Sequence, residues 1–174
     1  MIATLSIDTL VAAAARVGVR IDLTDDADNL YVWHTPEREV VYIGKSASGR
    51  RTRDETKWRD WDPRDEIVSG IVTLLRANKA ALQPLRYDPS EFDQSAWLAL
   101  AETWSGSAVD SLRVYLTDHA PTPEEVEVLL VRICVRYGVP IGNSQFASQW
   151  ETPIGSPMDT LAAISVFADE SFRP

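Results

Sequence analysis

The feature that most constrains the fold is a pair of short apolar runs in the first third of the chain. Residues 30–35 and 39–44 are rich in β-branched and aromatic side chains, and a polar segment with Pro36 lies between them. Two such runs around a short polar turn are typical of a β-hairpin. The pattern therefore predicts a sheet that begins with this hairpin, with Tyr31 on its first strand and Tyr42 on its second.

Helical patterns surround the hairpin on both sides. Residues 6–17 read as an amphipathic or buried helix, which Ser6 can cap and Gly18 can end. Further helices are expected over four later segments, namely 64–82, 89–106 (with Ser90 as its cap), 122–138 and the apolar stretch after a bend at 152–157.

The remaining segments give weaker signals. Residues 22–29 read as an acidic loop, and Pro84 makes 82–88 a poor strand because proline cannot donate to a sheet ladder. Residues 111–118 alternate apolar and polar side chains, as a half-buried strand does. The order of elements predicts an α/β (α+β) fold in which helices flank a small central sheet, antiparallel or mixed.

Length and composition limit the function classes. A chain of 174 residues, 45% hydrophobic and 25% charged, can bury a core of its own and is expected to form one domain. Its single cysteine excludes an internal disulfide framework and a Cys-based zinc cluster, and a cytoplasmic location fits this. No apolar run approaches the ~18 residues that a spanning helix needs, so no membrane partner is expected.

Charge is distributed unevenly along the chain. The net charge is −9, yet the stretch from Lys45 to Arg59 holds six basic and two acidic residues. Proteins that bind nucleic acid through phosphate contacts usually carry a basic surface, and this stretch is the candidate for one. The acidic remainder either weakens non-specific DNA binding or faces a protein partner.

The best-delimited helix covers residues 122–138. Thr122 can cap it, Glu125 completes a capping box, and Gly138 can end it. A helix with such signals at both ends is expected to be well defined, so the faces on which its side chains lie can be assigned from the sequence.

One carboxylate of this helix lies on the apolar face. On a helical wheel at about 100° per residue, Glu125, Arg132 and Arg136 form a solvent stripe. Glu127 lies about 160° from that stripe, among three apolar residues, namely Leu130, Val131 and Cys134. A carboxylate there is costly unless it is paired or holds a metal, so Glu127 is a candidate site residue. The alternative is that it lies near the rim of the first turn and reaches water.

The residues that could act on a phosphodiester lie in the hairpin and directly after it. Tyr31 and Tyr42 lie eleven residues apart, Tyr-Ile-Gly-Lys occupies 42–45, and several arginines follow. Phenols beside a close-approach glycine and guanidinium groups suit a reaction in which a proton moves and negative charge is neutralised. The segment resembles the GIY-YIG nuclease family, in which a tyrosine ending a "GIY" and one starting a "YIG" lie about one hairpin apart, before a helix that carries arginine.

The resemblance implies a metal-dependent endonuclease that hydrolyses DNA phosphodiester bonds. The family's metal-binding glutamate opens a helix and is followed four residues later by Ile or Val, a pattern that Glu127 and Val131 match. By this resemblance Glu127 would hold Mg²⁺ or Mn²⁺, and Tyr31 or Tyr42 would position and deprotonate the attacking water. Asn143, which follows the helix as an asparagine does in the family, would hold loop and site together at the substrate.

The choice of catalytic arginine stays open. The family places it nine to eleven residues after the YIG tyrosine, which fits Arg51 and Arg53, and Arg51 is preferred. Lys45, Arg50 and Arg53 are then expected to bind the substrate's phosphates, with simple solvation as the other interpretation of Lys45. Glu55 stands four residues after Arg51, where the family often has histidine. This departure puts a general base at that position in doubt and leaves an ion pair as the other interpretation.

Departures from the family pattern support a second hypothesis. Asn29 replaces the leading glycine of "GIY", and the resemblance covers 29–53 and 111–144. The nuclease-like core would span about 29–144, with helical extensions on both sides, at 1–28 and 145–174. The alternative function is a catalytically inactive nuclease-like fold that acts as a protein- or DNA-binding module.

Overall fold

The computed structural model describes residues 4–25, 29–45, 66–143 and 156–172, with the backbone alone at 66–69. Along the chain its strands are β1 (Ile21–Leu23), β2 (Leu30–His34), β3 (Val40–Lys45) and β4 (Ala81–Tyr87). Its helices are α1 (Ile7–Arg16), α2 (Glu66–Ala77), α3 (Gln94–Ala101), α4 (Ser107–Thr117), α5 (Pro123–Arg136) and α6 (Pro157–Phe167). Two short 3₁₀ turns occur at Pro89–Glu91 and Glu170–Phe172.

The four strands form one antiparallel sheet in the order β1-β4-β2-β3. The predicted hairpin is confirmed as β2–β3, in which Tyr31 lies opposite Gly44 and Trp33 lies opposite Tyr42. Helices flank this sheet, so the predicted α+β class with a small central sheet is confirmed.

The two faces of the sheet pack against different helices. Leu30, Val32 and Ile43 belong to the main core, which all the described helices except α2 help to build. Tyr31 and Tyr42 lie in a smaller cluster on the other side, against Leu75 of α2. Because directly opposite residues of an antiparallel pair share a face, the hairpin itself brings both tyrosines to the α2 side.

The prediction that Pro84 weakens the strand at 82–88 is wrong, because β4 pairs with both β1 and β2. The Pro84 carbonyl accepts a hydrogen bond from Thr24 N at 3.2 Å, just beyond the end of β1. Proline has no N–H to return to the Thr24 carbonyl. The side-chain amide of Gln83 donates to that carbonyl instead, at 3.2 Å. The acidic loop expected from residue 22 also begins later than predicted, because Ile21–Leu23 is β1.

The predicted strand at 111–118 is wrong, because these residues belong to α4. Val109, Leu112 and Leu116 are buried at helical spacing, and Val114 between them is 79% exposed. The alternation of Leu112, Val114 and Leu116 is therefore accidental. The burial of Val109, three residues before Leu112, shows that the buried residues follow the helical period.

Two smaller expectations about helices also need correction. Asp93, and not Ser90, caps α3, with its carboxylate accepting from Ser95 N. The predicted helix over 64–82 ends at Ala77, where β4 follows after a short turn.

The C-terminal helix α6 packs closely on α5 through a buried ion cluster. Asp159 of α6 is fully buried and accepts hydrogen bonds from Arg132 at 2.8 Å and from Arg136 at 2.7 Å. The predicted solvent stripe is therefore only partly correct: Arg136 is exposed, but Arg132 is half-buried and both arginines pair with a helix distant in sequence. The capping box of Thr122 and Glu125 on α5 is confirmed.

The helices at the two ends of the chain belong to the main core. Leu10 of α1 and Leu161 of α6 are both buried there. Arg16 of α1 also donates to the Tyr137 hydroxyl at the end of α5, at 2.7 Å. Among the described residues, no helix has the length and apolar character needed to cross a membrane.

Candidate functional site

The phenol of Tyr31 lies across the backbone of Gly44. A Cβ built on Gly44 would overlap the Tyr31 Cζ and Oη atoms. Tyr31 is completely buried by this arrangement. Gly44 is thus needed because the tyrosine ring occupies the space that a side chain would fill.

The Tyr31 hydroxyl is a buried polar group with no hydrogen-bond partner among the described residues. A buried hydroxyl without a partner costs roughly 1–3 kcal/mol. Most buried polar groups are paired, so one that is not calls for an explanation such as a bound ligand or a catalytic role. The Tyr31 hydroxyl therefore calls for such an explanation, as does the buried indole nitrogen of Trp97 in the main core.

Tyr42 is closed in by the loop that follows α5. It lies on the same face as Tyr31 and packs with Leu75 of α2. A Cβ on Gly142 would come within 3.1 Å of the Tyr42 ring and 3.2 Å of Leu74. A side chain at this position would push the Tyr42 ring or Leu74 aside by a few tenths of an ångström, so glycine allows the closest packing here.

Asn143 holds this loop on β3. Its Oδ1 accepts from Ile43 N and its Nδ2 donates to Ile43 O, both at 2.8 Å, and the residue is fully buried. Since β3 is an edge strand, the amide takes the place of a neighbouring strand. Both polar groups of the side chain thus bind the hairpin, in agreement with a role in holding loop and site together. The direct contact of Asn143 with substrate stays a prediction.

Lys45 lies on the opposite face of β3 from the tyrosines, because its cross-strand partner Leu30 belongs to the main core. Its ammonium forms an ion pair with Glu124 in the first turn of α5. Sequence reasoning missed this pair, because nothing local links a strand residue to a helix residue far along the chain. Lys45 was expected to bind phosphate, and in this structure it joins β3 to α5.

Glu127 lies on the buried side of α5, as the helical wheel predicts. It is 4% exposed, so the alternative in which it reaches water at the rim is wrong. It follows Glu124 by three residues, about one turn, and so projects from the same side of α5 as the residue that pairs with Lys45. Lys45 and α5 therefore lie on one face of β3, while Tyr31 lies on the other face, against α2.

Four residues singled out from the sequence follow β3 in the chain. Arg50, Arg51, Arg53 and Glu55 lie outside the described residues, so the choice of arginine stays a prediction. In the described part of the chain, no three His, Cys, Asp or Glu side chains come together as a metal-binding group. Mg²⁺ is usually held by one or two carboxylates plus waters and substrate phosphates. A single buried carboxylate such as Glu127 is compatible with that mode of binding.

A second polar cluster joins α4 to α5 on the surface. The Glu125 carboxylate accepts from the Tyr115 hydroxyl and lies 3.0 Å from His119 Nε2. The same carboxylate accepts from Thr122 N at 3.0 Å within the capping box. The hydrogen bond to Glu125 raises the pKa of Tyr115 to about 12. The capping box was predicted from the sequence. The contact of Tyr115 with Glu125 was not, because the segment that contains Tyr115 was assigned to a strand.

Comparison with known proteins does not assign this chain to a family. The sequence matches no family model, no curated protein and no solved structure. The resemblance to GIY-YIG nucleases accordingly remains a prediction from the motifs.

Proposed function

We propose that this protein is a metal-dependent endonuclease that hydrolyses DNA phosphodiester bonds at a GIY-YIG-type site. The observation that carries the proposal is the buried Tyr31 hydroxyl, which has no partner among the described residues and lies over Gly44. The Lys45–Glu124 ion pair joins this end of β3 to the helix that carries Glu127. This ion pair supports a site in which a phenol and the Glu127 carboxylate act together near the end of β3.

Each residue has a distinct task in the proposed reaction. A phenol, of Tyr31 or Tyr42, orients the attacking water and takes up its proton. Because a free phenol has a pKa of about 10, nearby cations are needed to make it a base at neutral pH. Arg51 neutralises the charge that develops on the phosphate, and Arg50 and Arg53 bind neighbouring phosphates.

Glu127 is the residue that would hold Mg²⁺ or Mn²⁺. The bound ion supplies electrostatic stabilisation of the phosphate and of the leaving oxygen. Asn143 keeps β3 in register with the loop after α5 through its two hydrogen bonds to Ile43. The orientation of Tyr42 depends on that loop, because Gly142 packs against its ring.

A second candidate function is favoured by the burial of these groups. Tyr31, Tyr42 and Glu127 are all buried, and Lys45 is already paired with a carboxylate. With a net charge of −9, these observations fit a nuclease-like fold that binds protein or DNA without cleaving it.

Plasmid nicking separates the two functions. Supercoiled plasmid is incubated with the wild-type protein and Mg²⁺ or Mn²⁺ over a range of salt, with and without a chelator. The endonuclease predicts chelator-sensitive nicking that Glu127→Gln abolishes and Glu91→Gln, at an exposed carboxylate far along the chain, leaves intact. Absence of nicking under all conditions, with DNA binding retained in fluorescence anisotropy, would establish the binding module instead.

A further inference from the structure

A small pocket of about 210 Å³ lies at the start of β3, and the proposed reaction does not use it. Its walls come from β3 and the turn before it, from the C-terminal end of α2, and from the segment that follows α5. Aliphatic side chains form one part of the lining, namely Val40, Val41, Leu74 and Val139. Because drug-sized ligands occupy about 300–1,000 Å³, this pocket suits a smaller molecule.

Glu39 is the one ionisable residue in the lining of this pocket. It is half-buried, and its carboxylate forms no hydrogen bond or ion pair with any described residue. The neighbouring Arg38 pairs with Asp8 at 3.2 Å instead, and the exposed Lys79 forms no ion pair within the described part of the chain. A half-buried carboxylate without a partner is costly, and a cation bound beside it would offset that cost.

The other polar groups of the pocket favour a ligand that donates hydrogen bonds. Several backbone N–H groups that border the pocket already have acceptors inside the protein, namely those of Glu39 (to Thr35 Oγ1, 3.1 Å), Val40 (to Leu5 O, 2.8 Å) and Val139 (to Cys134 O, 3.0 Å). Asn78 donates from Nδ2 to Leu74 O at 2.8 Å, which leaves its Oδ1 free to accept. An anion would therefore meet a carboxylate and few donors, whereas a cationic donor would be attracted.

The apolar part of the lining distinguishes an organic cation from a metal ion. Ca²⁺ takes about six to eight oxygen ligands, and Mg²⁺ held by a single carboxylate depends on the phosphates of a substrate. The aliphatic walls of this pocket supply neither kind of ligand. They do suit methylene groups, which gain free energy when they leave water.

We propose that this pocket binds a small aliphatic amine. The ammonium group pairs with the Glu39 carboxylate, with Asn78 Oδ1 as a second acceptor. The alkyl chain packs against Val41, Leu74 and Val139. Binding here is separate from the proposed cleavage, because none of these residues has a task in that reaction.

Four small molecules test the proposal by differing from one another in charge or in chain length. Butylamine, which is cationic at neutral pH as a lysine side chain is, should bind with a Kd on the order of millimolar. Saturation-transfer NMR of the ligand measures this binding, which should weaken as salt is added. Butan-1-ol lacks the charge, butyrate reverses it, and methylamine lacks the chain, so each of these should bind at least about tenfold more weakly.

A matched pair of variants locates the binding site. Glu39→Gln keeps the shape of the side chain and should weaken butylamine binding by about tenfold or more, as expected for the loss of a charged hydrogen bond. Glu37→Gln is the control, because it removes the same charge from an exposed position outside the pocket and should leave binding unchanged.

Three outcomes would overturn the proposal. They are that butylamine does not bind, that any of the other three molecules binds as tightly, or that the two variants bind butylamine equally well. The comparison of the four molecules is made in the wild-type protein and does not depend on any variant folding.

Discussion

The side-chain amide of Asn143 forms both backbone hydrogen bonds of Ile43 on the open edge of β3, each at 2.8 Å. One side chain thereby substitutes for a neighbouring strand and connects the segment after α5 to the hairpin. Tyr42 is next to Ile43, and Gly142 packs on its ring. The position of this tyrosine therefore depends on a single amide that lies 100 residues from Ile43 in the chain.

Replacement of Asn143 should reveal how much this connection contributes. Asn143→Ala leaves a buried N–H and a buried carbonyl without partners, and the free energy of unfolding should fall by about 3 kcal/mol. Urea denaturation followed by tryptophan fluorescence measures the change. Asn78→Ala is the control, because the Asn78 side chain donates one hydrogen bond, to Leu74 O at 2.8 Å, and its loss should cost about 1 kcal/mol. Equal losses in the two variants would contradict a special role for Asn143.

The contact between Tyr31 and Gly44 gives a second prediction. Gly44→Ala places a methyl group where the Tyr31 ring lies, and the overlap should cost about 2 kcal/mol or more of stability. In a Tyr31→Val background the space is free, so the same glycine substitution should cost much less. A double-mutant cycle by denaturant unfolding measures the coupling between the two positions. Additive effects would show that the ring does not occupy the space above Gly44.

Local sequence signals predicted the parts of the fold that depend on local physics. The hairpin and the capped helix α5 are such parts, because turn residues, β-branched runs and capping boxes act within a few residues. The buried position of Glu127 followed from helical geometry alone. These features could be assigned before any knowledge of the packing.

The predictions that were wrong concern residues whose structure depends on a contact with a residue far along the chain. Pro84 is accepted in a central strand because β1 ends beside it and Gln83 supplies the missing donor. Arg132 and Arg136 are held against α6 by their ion pairs with Asp159. Neither arrangement has a local signature, and the same is true of the ion pair between Lys45 and Glu124.

The two candidate arginines make opposite kinetic predictions. If Arg51 neutralises charge in the transition state, Arg51→Ala should lower turnover by on the order of 10²-fold with little change in DNA affinity. Arg53→Ala should mainly weaken binding and reduce its salt dependence, because one phosphate contact is lost. Single-turnover cleavage and anisotropy titrations at several salt concentrations measure both effects. The reverse pattern would assign the catalytic role to Arg53.

Removal of the Tyr31 hydroxyl should lower the nicking activity without lowering the stability of the protein. Because this oxygen is buried with no partner among the described residues, Tyr31→Phe should leave the free energy of unfolding unchanged or raise it by about 1 kcal/mol. Nicking should nevertheless fall by on the order of 10²-fold if the phenol takes part in proton transfer. Tyr87→Phe is the matched control, since the Tyr87 hydroxyl donates to Pro121 O at 2.7 Å and its removal should destabilise the protein by about 1 kcal/mol. A Tyr31→Phe variant that nicks normally would remove Tyr31 from the mechanism.

The assignment of Glu127 as a metal ligand can be tested without any cleavage assay. An ion that binds only the folded protein stabilises it by mass action, by about 2.7 kcal/mol at a concentration 100 times its Kd. Millimolar Mn²⁺ or Mg²⁺ should therefore raise the Tm of the wild-type protein, and Glu127→Gln, which keeps the shape of the side chain but not its charge, should lose that rise. Glu91→Gln, at an exposed carboxylate on a 3₁₀ turn, should keep it. If Glu127→Gln retained both the metal-induced rise in Tm and near wild-type nicking, the ion would have to be held elsewhere, and the buried carboxylate of α5 would have a purely structural role.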